Sequence, residues 1–377
     1  MKSISELSYP GTCLLACCCV DFEKYLYCIY AYSRDSWKTA RATLVMFDSS
    51  KCDLCGECLV KCQYVDYNIE KAKEEIDKLI KGEPASIISE CVTCVACNQY
   101  CEKEANPFDL INQRQEETGL FPVSDRTLEI FSAAEIMPTE VVVGQPGKPV
   151  MSLCTVGDVI PGLFEGQLFE GVTFLKGGEF FCKIGWIHAG KESPVRDGAQ
   201  AVVDKLSETE AKEIVFYHDD CYALVTTKVK EYGIDLPFKP IHIIEYLLNY
   251  LDDHEEQIKK LNMKIAYQQP CASRYTLWKD KWLDELFRII GVERVKRQHD
   301  RINALCCGGP IVATDYERAG RIKDANIKDA LDAGAEAMVF LCPLCFLGLK
   351  RRAREAGLAP IPLISLCRLA LEEKPSA

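Results

Sequence analysis

No stretch of this chain is apolar for long enough to span a membrane. The nearest approach, Cys13 to Tyr32, is interrupted by Asp21, Glu23 and Lys24. Neither apolar half reaches the roughly 20 residues that a spanning helix needs. No leader is expected either: polar residues follow Met1-Lys2, with no apolar core and small-residue cleavage site. A dinucleotide fingerprint is also missing. Gly177-Gly178 and Gly308-Gly309 lack the G-x-G-x-x-G spacing after a strand, so no flavin or nicotinamide site is expected. Basic charge is in deficit: 45 Lys and Arg against 56 Asp and Glu give a net charge of −11. That argues against general nucleic-acid binding. The 377 residues are 48% hydrophobic and 27% charged, an ordinary globular composition with room for two or three domains.

What the chain has in excess is cysteine, 22 residues in all. In a secreted protein that would suggest disulfides. Here thirteen cysteines fall into strict repeated spacings, which points to metal binding in a reducing cytoplasm. Cys271, Cys306, Cys307, Cys342 and Cys345 read C-x34-C-C-G-G-P and then, 34 residues on, C-P-L-C. The pair Cys342 and Cys345 aims two sulfurs at one centre. Adjacent Cys306 and Cys307 need a turn to face the same way, and Gly308-Gly309 can supply it.

Cys52, Cys55, Cys58 and Cys62 read C-x2-C-x2-C-x3-C, and Cys91, Cys94, Cys97 and Cys101 repeat it. This is the bacterial ferredoxin run, whose fourth cysteine ligates the other cluster. One [4Fe-4S] cubane is therefore assigned to Cys52, Cys55, Cys58 and Cys101. The second is assigned to Cys91, Cys94, Cys97 and Cys62. Zinc is the competing occupant, but a tetrahedral site has no place for a third cysteine at the same spacing. Gln63 and Glu102 stand where a proline usually follows the fourth cysteine. Between the runs, residues 70–82 read as a helix with an Ile76, Leu79, Ile80 stripe and Gly82 as its stop.

The CCG arrangement of the five cysteines resembles the catalytic subunit of heterodisulfide reductase. The long helical insert between the two runs resembles the α-helical ferredoxin domain of that family and of succinate dehydrogenase iron–sulfur subunits. Asn106-Pro107-Phe108 is similar to that family's continuation. The resemblance implies a noncubane [4Fe-4S] cluster on Cys271, Cys306, Cys307, Cys342 and Cys345 as the catalytic site. It implies an oxidoreductase subunit that passes electrons through two cubanes for disulfide or heterodisulfide reduction. The iron–sulfur subunits of glycolate oxidase, anaerobic glycerol-3-phosphate dehydrogenase and lactate utilisation systems are similar too. They imply the alternative, an electron relay between a flavoprotein and a quinone or other carrier. Either way electrons must come from a partner: a flavoprotein, a ferredoxin or a membrane cytochrome. The chain would be cytoplasmic, at most peripheral to the membrane through that partner, with a disulfide as candidate substrate and no nucleic acid.

The expected fold is α+β. A Cys-rich extension over 1–46 precedes a ferredoxin-like domain over 47–125. A Pro- and Gly-rich linker over 126–150 leads to two α/β modules, 151–255 and 256–377. Strands are expected at Val150–Leu153, Ile214–Tyr217, Lys264–Tyr267 and Ala337–Leu341, and a helix at 318–333. Cys221, Cys271 and Cys342 then lie just past strands, where ligands of parallel sheets bind. The modules form a weak repeat. Cys154 aligns with Cys271, Cys182 with Cys307, His218 with Cys342 and Cys221 with Cys345. Phe181 stands in place of the first paired cysteine. Cys154, Cys182, His218 and Cys221 thus form a degenerate site with three readings: an altered cluster, a scaffold without metal, or a Cys3His zinc site. Cys13, Cys17, Cys18, Cys19 and Cys28 show no cluster spacing. Their segment reads as packed on the body or a partner, against an extra metal site or lipidation. The other histidines, 188, 242, 254 and 299, read as ordinary surface or core residues.

Anaerobic metal analysis should find roughly eleven to thirteen iron atoms per chain, eight from the cubanes and about four from the third site. Near-stoichiometric zinc with trace iron would contradict the assignment.

Overall fold

The computed structural model describes residues 47–374. The extension and its cysteines 13, 17, 18, 19 and 28 lie outside the described residues. Among the described residues, no helix is long and apolar enough to cross a membrane.

The first part is helical. Helix Ile69–Lys81 forms where the stripe predicts it. Asn68 caps its start by accepting the Lys71 N–H, and Gly82 ends it at φ 73°, a left-handed stop open to glycine. Its buried Ala72, Ile76 and Leu79 pack toward helix Pro107–Thr118, whose Phe108, Leu110 and Ile111 are also buried. Each fully buried Ile, Leu or Phe among them contributes about 1.5–3 kcal/mol.

Two sheets follow, and the chain is α+β as expected. Strands β1 (Glu140–Val142), β2 (Val150–Cys154), β3 (Thr173–Lys176), β4 (Glu213–Phe216) and β5 (Lys239–His242) make the first, in the order β1-β3-β2-β4-β5. Strands β6 (Met263–Gln268), β7 (Val292–Arg294), β8 (Ala337–Phe340) and β9 (Ala359–Pro362) make the second, in the order β7-β6-β8-β9. Apart from antiparallel β1, all pairs are parallel. The cores of both sheets are apolar on both faces: all four residues of β8 are buried, as parallel strands covered by helices must be.

The order β3-β2-β4-β5 matches β7-β6-β8-β9 strand for strand, so the weak sequence repeat is a repeat of topology. Matching positions share backbone as well: Lys183 (φ 59°) corresponds to Gly308 (φ 72°), each one residue after the aligned cysteine. The modules meet through helices Ile243–Asp253 and Lys279–Ile290, which bury Leu247, Leu251, Leu283 and Leu286 together.

The stretch expected as a linker, 126–150, is largely ordered secondary structure. It carries most of helix Asp125–Glu135, capped by Ser124, and the edge strand β1, with Val141 opposite Leu175. An edge strand needs one partner only and tolerates flanking Pro and Gly, so its composition resembles a connector.

One buried cation ties the parts together. Lys228 ends a π-helical turn, Leu224–Lys228, and its ammonium meets Asp109 at 2.9 Å, Glu192 at 3.1 Å and Glu231 at 2.9 Å. It also stands 5.2 Å from the ring centroid of Tyr275 in the second module. Asp109 belongs to the helical part, so three segments share one charge. Burial pushes Glu231 up to about 7, even against the pull of Lys228. Replacing Lys228→Met strands these carboxylates in a dry site and should cost about 3–5 kcal/mol. Anaerobic urea unfolding measures it; a loss below about 1 kcal/mol would contradict the hub role.

Candidate metal centres

The two ferredoxin-type runs fold alike. Leu54 and Thr93, each just before the second cysteine, have φ of 57° and 54°; Gly56 and Val95, each just after it, have 80° and 66°. Thr93 and Val95 are β-branched, for which a left-handed backbone is strained. These left-handed positions curl the loop so that N–H groups face the cysteine sulfurs. The Thr93 N–H donates to Cys91 Sγ at 3.2 Å, and the Ala105 N–H to Cys101 Sγ at 3.4 Å. Such bonds favour thiolate over thiol.

The fourth cysteines are exchanged. Cys52, Cys55, Cys58 and Cys101 line one cavity of about 130 Å³. Cys91, Cys94 and Cys97 line another with Cys62. The first lies near the surface, with Cys55 exposed; in the second Cys94 and Cys97 are buried. Every described cysteine is a free thiol, and sulfur-only donor sets around a cavity suit iron–sulfur clusters.

The five CCG cysteines come from three loops at the carboxyl ends of β6, β7 and β8, all buried. Cys271 and Cys306 sulfurs are 3.7 Å apart. Cys342 caps helix Pro343–Glu355, its sulfur accepting the Cys345 N–H at 3.5 Å. Gly308 turns left-handed and its N–H reaches Cys306 Sγ at 3.3 Å. A side chain at Gly308 would press on the Ala319 carbonyl at 3.0 Å. The thiols share protons unequally. Bonds from Cys306 and Cys345 hold Cys307 well below the usual thiol range. Cys345, with burial opposing and His218 assisting, brings Cys342 down to about 6. Cys306, beside Cys271, and Cys345, beside Cys307, are raised.

Residues between the second ferredoxin-type set and the CCG set are not legible as functional in the sequence. Arg274, buried three residues after Cys271, donates to the Cys94 carbonyl at 3.1 Å and the Ala304 carbonyl at 2.5 Å. Burial pushes the Cys94 thiol up to about 12, and this guanidinium is the main influence against it. The Tyr64 hydroxyl accepts the Cys306 N–H at 2.6 Å. Gln63, where ferredoxins carry proline, donates to the Asn303 carbonyl at 2.8 Å, and its side-chain oxygen lies 2.7 Å from His299 Nδ1. The missing proline was the one signal in the sequence: position 63 is needed for contact, and proline has no side-chain donor. His299 is thus an interdomain contact rather than an isolated surface group. His188 likewise meets the Thr93 carbonyl at 2.8 Å, bracing the second run.

The degenerate site is only partly assembled. The sulfurs of Cys154, Cys182 and Cys221 lie within 4.8 Å of one another, all buried. Thiolates round a single tetrahedral ion stand roughly 3.8 Å apart, from metal–sulfur bonds of about 2.3 Å. The grouping is therefore the size of one ion. His218, expected as its fourth member, is not in it. The ring turns to the other module and places Nε2 at 3.2 Å from Cys342 Sγ. The Cys3His set is corrected to three cysteines.

Comparison with known proteins follows the same lines. The Cysteine-rich domain family, CCG, matches residues 265–350, which contain all five CCG cysteines. A subunit of the dihydromethanophenazine:CoB--CoM heterodisulfide reductase of Methanosarcina barkeri is 27% identical over 182 residues, 45% of this chain and 42% of that protein. The corresponding protein of Methanosarcina acetivorans is 22% identical over 83% of this chain and 90% of its own. A subunit of the CoM/CoB fumarate reductase of Methanothermobacter marburgensis is 22% identical over 84% of this chain and 71% of its own. The chain spans 42% of the length of the first of these relatives. Among solved structures, a hypothetical protein from Helicobacter pylori superposes with a TM-score of 0.55 at 13% identity, over 93% of this chain and 77% of that one, a likeness of fold alone. The chain thus carries a CCG cysteine-rich domain over residues 265–350 and is similar to the heterodisulfide reductase proteins of Methanosarcina.

Proposed function

We propose that this chain is an iron–sulfur oxidoreductase subunit whose terminal site is the five-cysteine CCG set, and that the site reduces a disulfide. The observation that carries the reading is the arrangement of three sulfur sets along one line of contacts. The set nearer the surface (Cys52, Cys55, Cys58, Cys101) has Cys55 exposed, the next (Cys62, Cys91, Cys94, Cys97) has Cys94 and Cys97 buried, and the CCG set lies beyond Arg274 and Tyr64. Bound iron–sulfur clusters would supply one-electron steps, two cubanes as relays and one noncubane cluster at the end.

The residues do the rest. The cysteines at 271, 306, 307, 342 and 345 would hold the terminal cluster. Arg274 keeps a positive charge between the inner set and Cys271, where added electrons place negative charge. Buried Cys306, with half-buried Tyr64 packed over it, limits the access of bulk water to that boundary. Reduction of a disulfide consumes two electrons and two protons and yields two thiols. The electrons enter at the set nearer the surface, where Cys55 is exposed, from a redox partner such as a flavoprotein, a ferredoxin or a membrane cytochrome. The first module would hold no second noncubane cluster, since only Cys154, Cys182 and Cys221 remain there.

The likeness to a fumarate reductase component favours keeping a second reading, a relay between a flavoprotein and another carrier without disulfide chemistry of its own. Purified protein given reduced viologen and a disulfide separates the two. Disulfide-dependent viologen oxidation is expected, and its absence across thiol disulfides of differing charge supports the relay. Cys306→Ala or Cys307→Ala should abolish turnover while both cubane signals stay visible by electron paramagnetic resonance. Loss of the cubane signals in those variants would contradict separate sites.

A further inference from the structure

His218 and Cys342 are equivalent positions of the two modules, and they touch. Each is the second residue after its module's third parallel strand, β4 for His218 and β8 for Cys342. The neighbouring residues repeat the contact, for the Tyr217 hydroxyl donates to the Leu341 carbonyl at 3.4 Å. The ends of β4 and β8 therefore face each other much as the two halves of an isologous interface do.

At such a contact, identical residues meet. A cysteine in both places would set one thiolate against another in a dry interface. Like charges there are disfavoured. Histidine removes the conflict. With a cluster bound, the Cys342 thiolate would carry no proton, and the hydrogen in the 3.2 Å contact would lie on His218 Nε2. The imidazole is held for that task. It is 4% exposed, and its Nδ1 faces the Asp220 carboxylate at 3.6 Å. The adjoining Asp219 is fixed by a buried ion pair with Lys279, whose ammonium also donates to Thr276 Oγ1 at 2.6 Å, and by His242 at 3.4 Å. The loop carrying His218 is thus anchored to the second module at its next residue.

We infer that His218 is a positioning residue for the terminal site: the degenerate module donates a hydrogen bond from His218 Nε2 to the sulfur of Cys342, and that bond raises the reduction potential of the centre held by the five CCG cysteines. This rests on the cluster reading above. A donor aimed at a ligand sulfur withdraws electron density and stabilises the more negative, reduced state. His218 then explains what the first module does after losing its own ligand set. It supplies the environment of its neighbour's.

Potentiometric titration followed by electron paramagnetic resonance tests this, with the two cubane signals as internal standards for folding and loading. In His218→Ala the midpoint of the third centre should move negative while both cubane midpoints stay put. In His218→Gln, whose amide can still donate, it should return toward the native value. A third centre whose midpoint ignores both substitutions overturns the inference and leaves the cluster reading standing. So does a strong nitrogen coupling, lost in His218→Gln, that marks the ring as an iron ligand. Native protein with no third centre overturns the cluster reading, and the inference with it.

Discussion

Buried thiolates must be compensated. A sulfur ligand useful for low-potential electron transfer sits away from water, and an uncompensated negative charge there is expensive. Much of the fold around the sites serves to bring donors to sulfur. Left-handed turns at Leu54, Thr93, Val95 and Gly308 curl the backbone round the cysteines, and several N–H groups point inward. Helix Pro343–Glu355 begins at Cys342. Arg274 brings a full charge between the inner ferredoxin-type set and the CCG set, and His218 brings an imidazole to Cys342 of the CCG set. Parallel sheets suit this work, because their strand ends release loops on one side, where cysteines distant in sequence can gather.

The same need explains how firmly the helical part is attached. An electron relay works only if its sulfur sets keep fixed separations. The loop after Cys62 is locked onto the second module by Gln63, by Tyr64 and by Arg318, which donates to the Tyr64 carbonyl at 2.9 Å and the Glu90 carbonyl at 2.8 Å. Lys228 fixes the other side by serving Asp109, Glu192 and Glu231 together. These contacts are polar and specific, so they hold one alignment, where an apolar interface could slide.

Much of this was legible in the sequence, and the reason is chemical. Cysteine spacing encodes loop geometry directly: C-x2-C permits few turns, and a duplicated run carries its partner with it. Strands rich in Ile, Val and Phe, such as Ile214–Phe216, and the capped helix at Ile69–Lys81 follow from local pattern. Long-range side-chain placement does not. Position 218 aligns with a ligand, yet nothing local says that its ring crosses to the other module. Arg274 looks like any arginine near a cysteine until Cys94, 180 residues earlier, is seen beside it. Strand β1 was hidden because Pro138, Gly144 and Pro146 flank it.

The central claim is that the chain holds three iron centres, two on the ferredoxin-type sets and one on the CCG set, and none on Cys154, Cys182 and Cys221. Anomalous diffraction at the iron edge from anaerobically grown crystals tests it most directly. The account predicts iron density at Cys52/55/58/101, at Cys62/91/94/97 and at Cys271/306/307/342/345, with none in the first module. An iron-free CCG set, or a cluster bound by Cys154, Cys182 and Cys221, would contradict it.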